Sequence, residues 1–355
     1  MSVRIIQPFL ISTTIFSCMT ILPGQMNSDA EILALEYSQQ LLPHYSLLTR
    51  INTELALIRT QVPAMTMIQA QAPWIPGEFL LQLTDDALTE FLAGEFTDLD
   101  SLNMVYGPVD FSTLGEAEPY IWILVDFELN YHPEVITSIY SSSPSVNQTS
   151  PNYVSGDGPD VYLNLGDFTS VYSFRIGWED CPSGCLFEHF WQFTVDDTYI
   201  YEQSHYGDDI LLLSLSAVST FGLAPFTTQL LDLSLIGMTG PVSWAWDLDN
   251  DGLADSAEQH PEWIFTDPGW HSVTLQIQVG DFSDSMTTAD LIFAGIPGDI
   301  TLDLVVDILD IVQVVEIVLG NTSVGEIQIL CADLNSDEII DILDVILLVD
   351  MILSV

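Results

Sequence analysis

The chain has 355 residues, 48% of them hydrophobic, and carries 51 Asp and Glu against four Lys and Arg, a formal net charge of −47. The four cations are Arg4, Arg50, Arg59 and Arg175, and there is no lysine. Nucleic-acid binding, which needs cations to displace phosphate counterions, is thereby excluded, as is docking on an anionic membrane through a basic patch. Most of the carboxylates have no possible ion-pair partner within the chain, so they must be solvated, screened or bound to metal cations.

Arg4 precedes a mostly apolar run over residues 5–22, and acidic polar sequence follows from Ser28. This pattern predicts an export signal over residues 1–26 and a secreted or extracellular protein. A lipid anchor at Cys18 is the alternative; bulky Phe16 fits that motif poorly. No later run is long enough to span a bilayer. Residues 30–70 are predicted to form a helical spacer, because Leu33, Leu35, Leu47, Leu48, Ile51, Leu55 and Ile58 recur at spacings of three and four. Pro43 is expected to divide it into two helices.

Residues 75–154 read as strand, helix, strand, strand, helix, strand, the split β-α-β arrangement of an α+β ferredoxin-like module. The helix after residue 84 is expected to be capped by Thr84, with Asp85 and Asp86 in its first turn. The opening Pro76-Gly77-Glu78 and closing Pro151-Asn152-Tyr153 resemble the propeptide module of subtilisin-like proteases. That resemblance implies a chaperone or inhibitor fold, but the Asp, His and Ser motifs of the peptidase are missing.

Residues 156–210 are predicted to be a β-rich module containing Cys181-Pro182-Ser183-Gly184-Cys185. In an exported protein the two cysteines are expected to form a disulfide. Free thiols, or a zinc site using Cys181, Cys185, His189 and His205, are the alternatives. Trp178 and Trp191 could present a sugar-stacking platform or, as alternating aromatics more commonly do, form sandwich core.

Residues 213–295 contain VSWAWDLDNDG and PEWIFTDPGWHSVTLQIQV, with Val273, Leu275 and Ile277 alternating onto one face. They resemble a PKD domain, which implies an immunoglobulin-like β-sandwich. Inside it, Asp247, Asp249, Asp251, Gly252, Asp255 and Glu258 satisfy the pattern of an EF-hand calcium loop, although between strands. A solvated acidic turn is the other reading of that segment.

Residues 297–355 hold an internal repeat. Oxygen side chains fall at loop positions 1, 3, 5, 9 and 12 in both copies, Asp299, Thr301, Asp303, Asp307 and Asp310 in one, Asp333, Asn335, Asp337, Asp341 and Asp344 in the other. With a backbone carbonyl at position 7, from Val305 or Ile339, such a set surrounds a hard cation that takes six to eight oxygens. An apolar helix follows each loop, and acidic residues solvating a helical hairpin are the other reading of the repeat. The repeat resembles a type I dockerin, an all-α pair of EF-hand-like loop–helix units. It implies calcium as cofactor and a cohesin-type scaffold as partner, in the manner of polysaccharide-degrading assemblies. Position 6, usually glycine, is Leu304 and Glu338; a left-handed conformation there costs about 1–2 kcal/mol. Positions 10 and 11 help select a dockerin's partner and are identical in the two copies, Ile308-Leu309 and Ile342-Leu343. They could form a two-fold docking surface or a seam between the units.

Scattered histidines, no H-E-x-x-H and no nucleophile elbow leave no recognisable catalytic motif. The expected function is a secreted, non-catalytic, calcium-binding assembly protein. A hydrolase subunit acting on polysaccharide or peptide, and a peptidase inhibitor, are the alternatives.

Overall fold

The computed structural model describes residues 28–95, 97–115, 121–154, 158–179, 184–323 and 325–354. The predicted export signal, Cys18 and Cys181 lie outside the described residues. Among the described residues no helix is long and apolar enough to cross a membrane. The fold is multi-domain and β-rich, in two compact units that meet in sequence between Asp209 and Ile210.

The first unit opens with helices α1 (Ser28–Ser38) and α2 (Tyr45–Gln61), and the break falls around Pro43 as expected. His44 caps α2 by accepting from the Ser46 N–H. The two are not a free spacer. Leu33, Ala34 and Leu35 of α1 and Ile51, Leu55 and Ile58 of α2 are buried, and Asp29 of α1 pairs with Arg59 of α2.

Next come β1 (Trp74–Leu83), α3 (Asp85–Ala93), α4 (Asp100–Tyr106), β2 (Pro108–Leu114), β3 (Trp122–Phe127), α5 (Pro133–Tyr140) and β4 (Val146–Tyr153). The strands form one antiparallel sheet in the order β2-β3-β1-β4. The register sets Phe79 opposite Val125 and Leu81 opposite Ile123. Strand side chains alternate between faces, so these residues all point to one side, where Ile136 and Tyr140 of α5 complete the core. Thr84 does occupy the N-cap position of α3, but its side chain makes no capping bond. Gly77 turns with φ 74°, and a Cβ there would stand 2.8 Å from the Leu129 carbonyl oxygen, so glycine is required.

Strands β5 (Asp160–Leu165), β6 (Ser170–Trp178), β7 (Phe187–Val195) and β8 (Ile200–Gly207) form an antiparallel meander. Tyr172, Phe174, Trp191 and Phe193 share its buried face. Trp191 is therefore core rather than a sugar platform, and Trp178 stacks on Phe187. Helix α2 reaches this sheet through polar contacts. The Tyr172 hydroxyl donates to Glu54 (2.8 Å), while Arg50 donates to Glu54, the Gly166 carbonyl and the Ser170 hydroxyl. Burial, reinforced by the Glu54 charge, raises the Tyr172 pKa far above its usual value.

The second unit begins with β9 (Ile210–Leu212), β10 (Leu215–Ala217), β11 (Phe221–Leu223), β12 (Phe226–Asp232), β13 (Leu235–Gly237), β14 (Val242–Asp247), β15 (Glu262–Phe265), β16 (Gly269–Val279) and β17 (Phe282–Gly295). One sheet runs β10-β12-β15, another β11-β17-β16-β14, and β9 pairs with β13. Leu230 and Phe265 from the first meet Trp246, Val273, Leu275, Ile277 and Ile292 from the second in one core. Helices α6 (Ile308–Val318), α7 (Glu326–Ala332) and α8 (Ile342–Leu353) follow. Their core is Ile300, Val314, Ala332, Val345 and Leu348.

Candidate functional site

Three loops share one backbone. In residues 247–258, 299–310 and 333–344, positions 4 and 6 are all left-handed: Asn250 and Gly252 (φ 61° and 87°), Leu302 and Leu304 (62° and 68°), Ser336 and Glu338 (59° and 67°). In each, the first aspartate accepts from the position-6 N–H: Asp247 from Gly252 (2.9 Å), Asp299 from Leu304 (2.9 Å), Asp333 from Glu338 (3.0 Å). In each, the position-5 aspartate accepts from the position-7 N–H: Asp251 from Leu253, Asp303 from Val305, Asp337 from Ile339. These bonds fold the chain back on itself in the same way in each loop.

The loops close differently. In the two C-terminal loops the position-12 aspartate does it. Asp310 Oδ1 accepts from Ile300 and Thr301 (both 2.9 Å), and its Oδ2 from Asp307. Asp344 repeats this with Leu334, Asn335 and Asp341. Asp307 and Asp341 then cap α6 and α8 by accepting from Leu309 and Leu343 (2.7 Å each). In the sandwich loop the contact to position 2 is made three residues earlier, by Asp255 Oδ2 to the Leu248 N–H (2.7 Å). Among the described residues, only Asp247, Asp249 and Asp255 bring one carboxylate oxygen each within 4.8 Å of the other two. Asp251 and Glu258 stay outside that group; Glu258 is held by its carbonyl, which accepts from Trp246 Nε1 (2.9 Å). The Glu258 ligand position expected from an EF-hand therefore does not match this early closure.

The donor chemistry fits a hard divalent cation. The side chains of Asp299, Asp310 and Asp344 are fully buried, and among the described residues none pairs with a basic side chain. Backbone N–H donors partly offset the cost of burying these carboxylates, and a bound cation would offset more of it. Asp247 Oδ1, likewise buried, has no hydrogen-bond partner. Burial, and then the charges of Asp299 and Asp310, push the nearby Cys331 thiol up to about 11.

Beside the C-terminal loops lies an exposed apolar face. Ile308 and Leu309 are 67% and 56% exposed, and Ile342 and Leu343 are 58% and 51% exposed. They do not form the seam between the two units, which is built by Val314, Val345 and Leu348 instead. Val312 and Ile346 extend the exposed face one turn along each helix.

The cysteine motif is only partly described. Cys185 is disulfide-bonded, and its predicted partner Cys181 lies outside the described residues. His189 and His205 face each other across β7 and β8, with His189 Nε2 3.2 Å from His205 Nδ1, within hydrogen-bond distance. Burial lowers the pKa of His189.

No protein-family model matches this chain, and no curated protein matches it.

Proposed function

We propose that the protein is a secreted, non-catalytic assembly protein whose C-terminal dockerin-like module binds calcium and docks on a cohesin-type scaffold. The observation that carries this reading is the turn repeated in residues 299–310 and 333–344, closed in each by a buried aspartate with no basic partner among the described residues. Bound calcium would be held by Asp299, Thr301, Asp303, Asp307 and Asp310, and by Asp333, Asn335, Asp337, Asp341 and Asp344. Val305 and Ile339 would add main-chain oxygens. The ion would offset the mutual repulsion of these carboxylates, so the module's helices are stable only when it is loaded. Asp247, Asp249 and Asp255 form a third, more open candidate site that would brace a PKD-like sandwich. The strand order β2-β3-β1-β4 supports a propeptide-like module as a further binding element. Assembly on a scaffold suits a role beside polysaccharide-degrading enzymes.

The near-identical faces Ile308-Leu309 and Ile342-Leu343 would let one partner dock in either of two orientations related by about a half turn. Capture by a panel of cohesin modules tests this, in calcium and in chelator, with Asp-Asp replacing either dipeptide or both. The reading expects calcium-dependent capture that survives each single replacement and is lost in the double one, with little change in melting because these residues are exposed. Capture that is absent in calcium, or undiminished in chelator, would overturn it.

A further inference from the structure

Phe293 is only 1% exposed, yet it takes no part in the sandwich core. Strand alternation sends its neighbours Ile292 and Ala294 inward and turns Phe293 to the outer face of the β11-β17-β16-β14 sheet. The C-terminal module covers the end of that face, at Phe293 and Gly295, while the rest of it is open to solvent. A Cβ on Gly295 would lie 2.9 Å from Cys331 Sγ of α7 and 3.3 Å from Phe293 Cε1, so the two elements meet closely over a glycine. Helix α7 packs along β11, and Trp270 closes the outer side with its ring 4.9 Å from that of Phe293.

Loop 299–310 is part of the same junction. The Gly298 N–H donates to the Cys331 carbonyl (2.8 Å), which fixes the residue directly before Asp299. Leu304, the strained position-6 residue, lies over Gly269 at the start of β16, with its Cδ1 3.5 Å from where a Cβ would stand. Asp299 is buried here, whereas its counterpart Asp333 is partly exposed.

We infer that the sandwich and the C-terminal module form one cooperative unit, and that calcium in loop 299–310, more than in loop 333–344, keeps Phe293 and Cys331 covered. This rests on the calcium reading. Without the ion, the carboxylates of loop 299–310 repel one another, the turn carrying Leu304 and Gly298 loosens, and α7 lifts from β17. Ligand that binds only the closed state lowers the open population by one plus the ratio of free ligand to its dissociation constant, about 100-fold when that ratio is about 100.

The test uses the full chain. Calcium binding is measured by calorimetry, alkylation of Cys331 by peptide mass spectrometry, and amide exchange across residues 282–295. The expected result is alkylation slowed about 100-fold at such calcium excess, with matching protection at the end of β17. Asp303→Asn and Asp337→Asn alter equivalent, exposed position-5 ligands; the first should remove most of the protection and the second should leave it largely intact. Calcium heat with unchanged alkylation and exchange would overturn the coupling while leaving the calcium reading standing. No calcium heat at all would overturn both. Equal effects of the two substitutions would overturn the assignment to loop 299–310.

Discussion

Six residues in three loops adopt a left-handed backbone, and one of them, Gly252, is glycine. Asparagine adopts this conformation more readily than most residues; Leu302, Leu304, Ser336 and Glu338 carry its steric cost. The departure at position 6 was legible from the spacing of the aspartates, and the structure gives Leu304 and Glu338 the strained φ that spacing demands. The second left-handed residue, at position 4, was harder to read: Asn250 is a residue that favours it, but Leu302 is not and Ser336 signals it weakly. Glu338 is exposed, so its strain can be relieved without loss of packing, whereas Leu304, though 45% exposed, keeps a contact side over Gly269, its Cδ1 3.5 Å from where a Cβ there would stand. Glu338→Gly is expected to stabilise the calcium-loaded protein by about 1 kcal/mol. Leu304→Gly should gain less, since it gives up that contact. Thermal unfolding of both variants in saturating calcium checks the order.

At the scale of elements, alternation and Gly-Pro punctuation placed most strands correctly, because a half-buried strand writes its period of two into the sequence. The role of α1 and α2 was not legible. Their leucines gave an amphipathic pattern, but nothing in that pattern reveals that Glu54 meets Tyr172, or that Arg50 ties the helix to β6. Helix α4 was missed for a similar reason: seven residues are too few to show a period. Another hidden contact has a consequence for stability. Glu36 of α1 is raised to about 7, first by burial and then by the charge of Asp160 on β5. The folded state therefore holds this proton more tightly than the unfolded one, whose carboxyl titrates near 4.5. The stabilisation from Glu36 is fully present below pH 4.5 and is lost as the pH rises through 7. Glu36→Gln should flatten urea-unfolding stability between pH 5 and 8 and raise it at pH 8. A variant whose pH profile matches that of the parent would contradict this account.

For the whole molecule, composition alone showed that 51 carboxylates cannot be balanced by four arginines. Within the described residues three of those arginines are committed: Arg50 to Glu54, Arg59 to Asp29 and Arg175 to Glu188. Among the described residues, many of the other acids are exposed or gather in turns, where divalent cations are natural counterions. The repeat of 34 residues was visible as spacing, and the early closure at Asp255 was not, because Glu258 sits at the sequence position an EF-hand would use. The joint between the sandwich and the C-terminal helices was also hidden, since it depends on Gly295 and Phe293, neither of which stands out in a strand. The most direct measurement is calorimetric titration of the full chain with calcium, alongside a chain carrying Asp310→Asn and Asp344→Asn. The account predicts saturable binding at or below about 1 mM, the weak end of the range for extracellular calcium modules, with two or three ions per chain and the two C-terminal sites lost in the variant. A parent chain that takes up no calcium at millimolar concentration, or a variant that binds as the parent does, would contradict it.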